Sequence, residues 1–170
     1  MKRRLSIIAL LLIAVYMAYA AISSKVSVLI GKLKSNGSYR TRTASQIEGI
    51  AIHHTATSQN ATPQAINKIH LDRGWPGIGY HYLIYPGGKI FQVNNNLSIS
   101  NHVQNNNTKL IGIAFIGNYT QDQPTQKMYA SGKDLIRKLR RKYPGIRYVK
   151  KHGDFKQTQC PGNININNLT

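Results

Sequence analysis

The segment LIGIAFIGN, residues 110–118, places the strongest constraint on the fold because it is a continuous apolar run that ends in glycine. A strand without polar alternation is typical of the centre of a sheet that is covered on both faces. GIAIHHT, residues 49–55, is a second short apolar run that predicts a buried strand. Two such strands indicate a layered domain built on one central sheet.

A helix is predicted between these two strands. TPQAINKIHLDRG, residues 62–74, offers Thr62 as the N-cap, Pro63 at the first helical position and a glycine just past the end. Ile66 and Ile69 are expected on the inner face of this helix.

The remaining elements alternate strands with a second helix. YHYLIYPGGKIFQV, residues 80–93, predicts two strands around a Pro-Gly-Gly turn, and the Asn-rich segment 94–109 predicts a surface loop. Residues 124–143 predict the longest helix, and residues 146–153 a last strand. The expected fold class is α/β, with strands and helices in a single domain. The apolar positions of the long helix are Met128, Leu135, Ile136, Leu139 and Tyr143.

The N-terminus has the layout of an export signal. A basic start precedes a 16-residue apolar run, 7–22, which is shorter than the roughly 18–20 residues that span a bilayer. We therefore expect residues 1–22 to be a signal peptide, cleaved after Ala20, or a signal anchor that tethers the protein to the membrane. The expected location is periplasmic or extracellular. Residues 23–46 are predicted to be a polar, basic lead-in, and residues 47–170 the functional domain.

The charge balance favours anionic partners. The chain has 23 Lys and Arg against five acids, a formal charge of +18, and ten of the bases lie between Lys127 and Lys151. Such a surface suits an anionic wall polymer, an anionic membrane or nucleic acid. Nucleic acid is not expected as a partner, because the chain has no nucleic-acid-binding motif and carries an export signal. It remains the alternative that charge alone motivates.

The single cysteine lies in a loop that suits metal binding. In HGDFKQTQCPG, residues 152–162, Cys160 stands between Gln159 and a Pro-Gly pair, which describes a turn rather than a packing site. His53 and His152 lie at the predicted ends of two strands, where α/β sheets display their sites. Two imidazoles and a thiolate can bind Zn²⁺ with a fourth position open. A buried, inert cysteine remains the alternative that composition favours.

Three motifs in order resemble a known family. IAIHHTAT, RGWPGIGYHYLI and HGDFKQTQCPG are similar to the zinc-dependent N-acetylmuramoyl-L-alanine amidases, a superfamily that includes phage lysozyme-type amidases and animal peptidoglycan recognition proteins. The resemblance extends over residues 47–162. It implies a central mixed β-sheet flanked by helices, with zinc in a surface groove. The implied partner is peptidoglycan, and we expect a monomer.

The resemblance also implies roles for five residues. His53, His152 and Cys160 match the zinc ligands, Tyr80 matches the catalytic tyrosine, and Thr158 takes the position two before the cysteine. The implied reaction is zinc-dependent hydrolysis of the amide between N-acetylmuramic acid and L-Ala of the stem peptide. Tyr80 would align the water or assist proton transfer, and Thr158 would donate a hydrogen bond to the developing oxyanion.

Other polar residues near these motifs receive different interpretations. His102, in the Asn-rich loop, resembles a substrate-contacting histidine of the family, whereas Asp154 is expected to brace the loop or a histidine. The family also contains non-catalytic peptidoglycan-binding modules, and this alternative stays open although all three ligands are present. Structural roles are expected for His54, His70, His81 and Trp75.

Overall fold

The computed structural model describes residues 25–170, so the predicted export segment, residues 1–22, lies outside the described residues. Its centre is a six-stranded mixed sheet in the order β1-β4-β3-β5-β2-β6. Strands β3 and β4 form the predicted antiparallel hairpin, and all other neighbouring strands are parallel. The strands are β1 (Val26–Val28), β2 (Gly49–His54), β3 (Tyr82–Ile84), β4 (Ile90–Gln92), β5 (Leu110–Phe115) and β6 (Tyr148–Lys151).

Two helices flank the sheet, which confirms the predicted α/β class with a mixed sheet. Helix α1 is Pro63–Leu71 and helix α2 is Gln126–Lys142, and short 3-10 turns occupy Ala44–Gln46, His152–Asp154 and Ile166–Asn168. Both α-helices begin at a threonine, because the hydroxyl oxygens of Thr62 and Thr125 accept hydrogen bonds from backbone N–H groups of the first turn.

The inner face of α1 was predicted only in part. Ile66 is buried, but Ile69 is 39% exposed, so its predicted place on the inner face is wrong. The buried stripe of α1 runs through Pro63, Ile66, Asn67 and His70. Ile69 lies to one side of this stripe, since the polar Asn67 and His70 take the positions that face the sheet and the lead-in.

Each face of the sheet is packed by a different helix. Helix α2 packs on Ile50, Ile52 and other apolar residues of β2, β3 and β5, whereas α1 packs on Leu83 and Ala114 from the opposite face. Successive side chains of a strand point to opposite faces. His53 follows Ile52 in β2 and therefore points away from α2.

The lead-in is more ordered than the sequence indicates. In its described part, residues 25–46, the polar and basic lead-in joins the domain: β1 pairs with β4, and Arg42 is only 5% exposed. The Arg42 guanidinium donates hydrogen bonds to the carbonyl oxygens of Asn96, Asn107, Thr108 and Leu110. This side chain fastens the lead-in to the Asn-rich loop. Among residues 25–170, no helix is long and apolar enough to cross a membrane.

Candidate metal centre

The side chains that could ligate a metal lie where two parallel strands end. Strand β2 pairs with β6 in a register that places Ile52 opposite Lys151, so the next residues, His53 and His152, become neighbours. Their ring centroids are 4.5 Å apart. The loop after the 3-10 turn brings Cys160 to the same place, with its Sγ 3.9 Å from His53 Nδ1.

These three side chains can hold one metal ion. The ligand atoms of His53, His152 and Cys160 all lie within 4.8 Å of one another. The set offers two imidazole nitrogens and one sulfur and leaves room for a fourth ligand. The structure thus brings together the three residues that the sequence nominates.

The Cys160 thiol is held by the backbone of β2. Its Sγ accepts a hydrogen bond from the His54 N–H at 3.4 Å. Burial raises the pKa of the thiol to about 11, and the hydrogen bond from His54 opposes this rise. The His54 side chain points the other way, and its Nδ1 accepts from the Tyr119 N–H at 3.0 Å, which fits its expected structural role.

His102 lies behind His53 rather than in an open groove. It is 7% exposed, and its Nδ1 is 3.2 Å from His53 Nε2. Its Nε2 is 3.3 Å from the carbonyl oxygen of Leu110. Both ring nitrogens are therefore engaged inside the protein, a geometry that suits a positioning residue. The predicted substrate contact of His102 stays a prediction.

This chain of contacts fixes which nitrogen of His53 is free. A carbonyl oxygen can only accept, so the His102 proton sits on Nε2 and its Nδ1 accepts from His53 Nε2–H. His53 Nδ1, the nitrogen near Cys160, is then left without a proton. Burial is the main reason that the pKa values of both imidazoles are lowered, and it keeps both rings neutral. Neutral imidazole is the form that ligates a metal.

Gly112 of β5 makes room for the His102 ring. A Cβ at this position would come within 2.7 Å of the His102 Cγ and Nδ1 atoms. The strand therefore passes close beneath the imidazole because residue 112 has no side chain.

Tyr80 lies beside the metal ligands. Its ring is half-buried, and the ring centroid lies 5.3 Å from the ring centroids of both His53 and His70. Burial raises the pKa of Tyr80, so its hydroxyl is protonated at neutral pH. His70 supports this side of the site, since its Nδ1 accepts from the Gly79 N–H at 3.0 Å and its ring packs on Trp75.

The loop that carries Cys160 is braced by two side chains. Thr158 is exposed, and its Oγ1 accepts a hydrogen bond from the Cys160 N–H at 3.3 Å. Asp154 Oδ2 accepts from the Lys151 N–H at 2.8 Å, and so Asp154 braces the loop as expected. The catalytic roles of Tyr80 and Thr158 stay predictions.

Sequence reasoning missed Arg42 as a residue that supports the site. Its Nη2 lies 3.2 Å from His81 Nε2, and His81 Nδ1 accepts from the Gly112 N–H at 2.9 Å. His81 is fully buried, which fits its predicted structural role. One arginine among 23 basic residues carries no local signal that marks it as buried.

The fold and the His-His-Cys cluster define an α/β domain with a candidate metal centre at the strand ends. Residues 43–163 match the family model described as N-acetylmuramoyl-L-alanine amidase. The chain belongs to this family.

Similar proteins fall into two groups. Peptidoglycan-recognition protein SC1a of Drosophila melanogaster is 32% identical over 121 residues, and the match covers 65% of this chain and 65% of that protein's length. N-acetylmuramoyl-L-alanine amidase LysC from Clostridium intestinale URNW is 32% identical with a TM-score of 0.74, over 85% of this chain and 94% of that chain. Ph2119 endolysin from Thermus scotoductus MAT2119 bacteriophage Ph2119 is 27% identical with a TM-score of 0.76, over 85% and 99% of the respective chains.

Proposed function

We propose that the protein is a zinc-dependent N-acetylmuramoyl-L-alanine amidase that cuts the amide between N-acetylmuramic acid and L-Ala of peptidoglycan. It acts as a monomer after export, which residues 1–22 direct, in the periplasm or outside the cell. The observation that carries the proposal is the cluster of His53, His152 and Cys160 ligand atoms within 4.8 Å of one another. The amidase name of the similar Clostridium structure supports the choice of bond.

The donor set fits zinc. A tetrahedral zinc ion separates its nitrogen and sulfur ligands by about 3.6 Å, and His53 Nδ1 and Cys160 Sγ are 3.9 Å apart. In the described part of the chain, no carboxylate belongs to this cluster, so the donors are the nitrogen and sulfur atoms that zinc favours over magnesium or calcium. When bound, zinc supplies Lewis-acid activation of a water molecule and of the amide carbonyl.

The protein's own groups then orient the substrate and move the proton. The protonated Tyr80 hydroxyl can donate a hydrogen bond at the reacting amide, or relay to the leaving nitrogen the proton that the attacking water gives up, and so remain protonated itself. The Thr158 hydroxyl uses its oxygen to accept from Cys160 N–H, which leaves its own hydrogen free to reach an oxyanion. His102 holds His53 in the orientation that presents Nδ1.

Digestion of purified peptidoglycan tests the proposal. We expect mass spectrometry to detect free stem peptides that begin with L-Ala, and chelation or Cys160→Ala to abolish their release. Lys32→Gln, an exposed change away from the cluster, is the matched control and should retain activity. If the wild type and Cys160→Ala release the same fragments, the proposal is wrong.

A non-catalytic peptidoglycan-binding module is the second candidate, because the similar Drosophila protein is named for recognition. In that case the zinc-loaded protein would bind muramyl peptides and release none. The complete ligand set favours hydrolysis, since binding alone does not require an open metal position.

A further inference from the structure

The outer face of α2 carries only positive charge. Nine residues of this helix are not buried, and two of these, Gln126 and Ala130, are uncharged. The single acid of the helix, Asp134, is 5% exposed and pairs with Arg137 and Lys138. The other seven residues form what we call the cationic face: Lys127, Lys133, Arg137, Lys138, Arg140, Arg141 and Lys142.

The requirements of an isolated helix explain only part of this face. Cations in the last turn complement the partial negative charge of the helix C-terminus, which accounts for Arg140, Arg141 and Lys142. The first turn favours acids, yet it has none and contains Lys127. Solubility alone is served by interspersed charges of both signs. Lys133 donates a hydrogen bond to the Thr170 carbonyl oxygen at 3.0 Å and keeps its charge exposed. Lys127 has no such explanation, and it points to an external anionic partner.

The cationic face lies on the opposite side of the sheet from the metal centre. Helix α2 packs on Ile50 and Ile52 of β2, and His53 points to the other face. A partner bound along α2 would leave the metal centre open to its substrate.

The exposed side of α2 suits a hydrated polymer better than insertion into a lipid bilayer. A helix that lies in a membrane interface exposes an apolar face to the lipid. The apolar side of α2 is instead buried in the core, and the large exposed hydrophobic residues of the described chain, Val28, Ile30 and Ile69, lie outside this helix. A helix of 17 residues is about 25 Å long, enough for several phosphates of an extended chain.

We propose that the cationic face of α2 binds a phosphodiester polymer of the cell wall and retains the enzyme there while the metal centre faces peptidoglycan. This inference rests on the proposed function in one respect. An enzyme that acts on peptidoglycan works in the cell wall, where the anionic polymer that it meets is a wall polymer and not nucleic acid.

Binding to purified poly(glycerol phosphate) tests the inference. The variant Lys127→Gln/Lys133→Gln/Arg141→Gln removes three exposed charges along α2. The matched control, Lys32→Gln/Lys34→Gln/Lys89→Gln, removes three exposed charges from the α1 side, where the Lys34 carbonyl contacts Asn67 of α1 and Lys89 lies over Phe91. We expect the α2 variant to lose roughly tenfold or more in affinity at low salt, and the control to lose about threefold at most. Equal losses in both variants, or no binding by the wild type, would overturn the inference.

Two further arms separate the alternatives. Vesicles of phosphatidylglycerol and a DNA duplex are measured at the same salt concentration, and tighter binding to either than to poly(glycerol phosphate) contradicts the choice of partner. Hydrolysis of a small soluble muramyl peptide should be unchanged in the α2 variant. If the wild type does not hydrolyse this peptide, the proposed function is wrong. The inference about polymer binding is unaffected by that result, because polymer binding is measured without catalysis.

Discussion

At the scale of single residues, the contact between His53 and His102 determines which nitrogen of His53 is available to a metal. The Leu110 carbonyl accepts from His102 Nε2–H, and His102 Nδ1 accepts from His53 Nε2–H. This arrangement of protons leaves His53 Nδ1 free to bind a metal. Partners that orient a ligating histidine typically contribute 10–100-fold to metal affinity. We infer from its buried position that His102 is such a partner of His53. Experiment can separate this role from that of a substrate contact.

We predict that His102→Ala weakens zinc binding by about 10–100-fold, because His53 loses the acceptor that fixes its ring. His102→Gln should recover part of the affinity, since an amide oxygen can also accept from Nε2–H. Zinc affinity is measured by competition with a chromogenic chelator. Unchanged zinc affinity together with a raised KM would restore the substrate-contact interpretation and contradict ours.

We predict that zinc binding near pH 7 releases about one proton. The metal-free Cys160 thiol has a pKa of about 11 and is protonated, whereas His53 and His152 have lowered pKa values and are already neutral. The thiol proton must leave when sulfur binds metal, so the apparent affinity should rise about tenfold for each unit of pH between 7 and 9. Calorimetry in buffers of different ionisation enthalpy counts the proton. Release of none would contradict this account, whereas release beyond one proton would report ionisation of a water molecule bound to the zinc.

At the scale of the structural elements, the site depends on register and on close approach between strand and loop. The pairing of β2 with β6 makes neighbours of two histidines that are 99 positions apart in the sequence. Strand β5 approaches the Asn-rich loop so closely that only glycine fits beneath His102. Small changes in these elements should therefore affect the metal centre.

We predict that Gly112→Ala destabilises the protein by about 1–3 kcal/mol, because the added methyl meets the buried His102 ring in a packed interior. Zinc affinity should fall with it, since the ring must move away from His53. Gly87→Ala is the control, as a Cβ there has no neighbour within 4 Å. Denaturant unfolding of the metal-free protein gives the stability. Equal stability of the two variants would show that the ring position does not depend on Gly112.

At the scale of the whole molecule, distant segments are joined by buried polar contacts as well as by the core. Arg42 connects the lead-in to the Asn-rich loop and to β5 through four carbonyl oxygens, although the formal charge of the chain is already +18. A guanidinium suits this role because its donors point in several fixed directions.

We predict that Arg42→Lys destabilises the protein by about 2–4 kcal/mol, because an ammonium cannot reach all four carbonyl oxygens and leaves some of them buried without a donor. Arg40→Lys, an exposed position in the same segment, should change stability by less than about 0.5 kcal/mol. The difference is measured by chemical denaturation, and limited proteolysis should then cut the Asn-rich loop faster. A fully stable Arg42→Lys variant would contradict the anchoring role.

Much of this protein was predictable from local sequence. Continuous apolar runs predicted the buried strands β2 and β5, and the capping residue Thr62 predicted where α1 begins. The spacing of apolar residues predicted α2. The three motifs nominated His53, His152 and Cys160, which the structure brings together. These features follow from short stretches of chain, since apolar periodicity and cap chemistry act between near neighbours.

Only the tertiary structure decided the rest. Strand β1 joins the sheet because β4 offers it an edge, and Ile69 is exposed because the stripe of α1 is set by its neighbours. His102 meets His53, and the cationic face lies behind the metal centre, because the long-range pairing of strands determines which side chains share a face. Such pairing depends on contacts between segments far apart in the chain, and no local pattern encodes it.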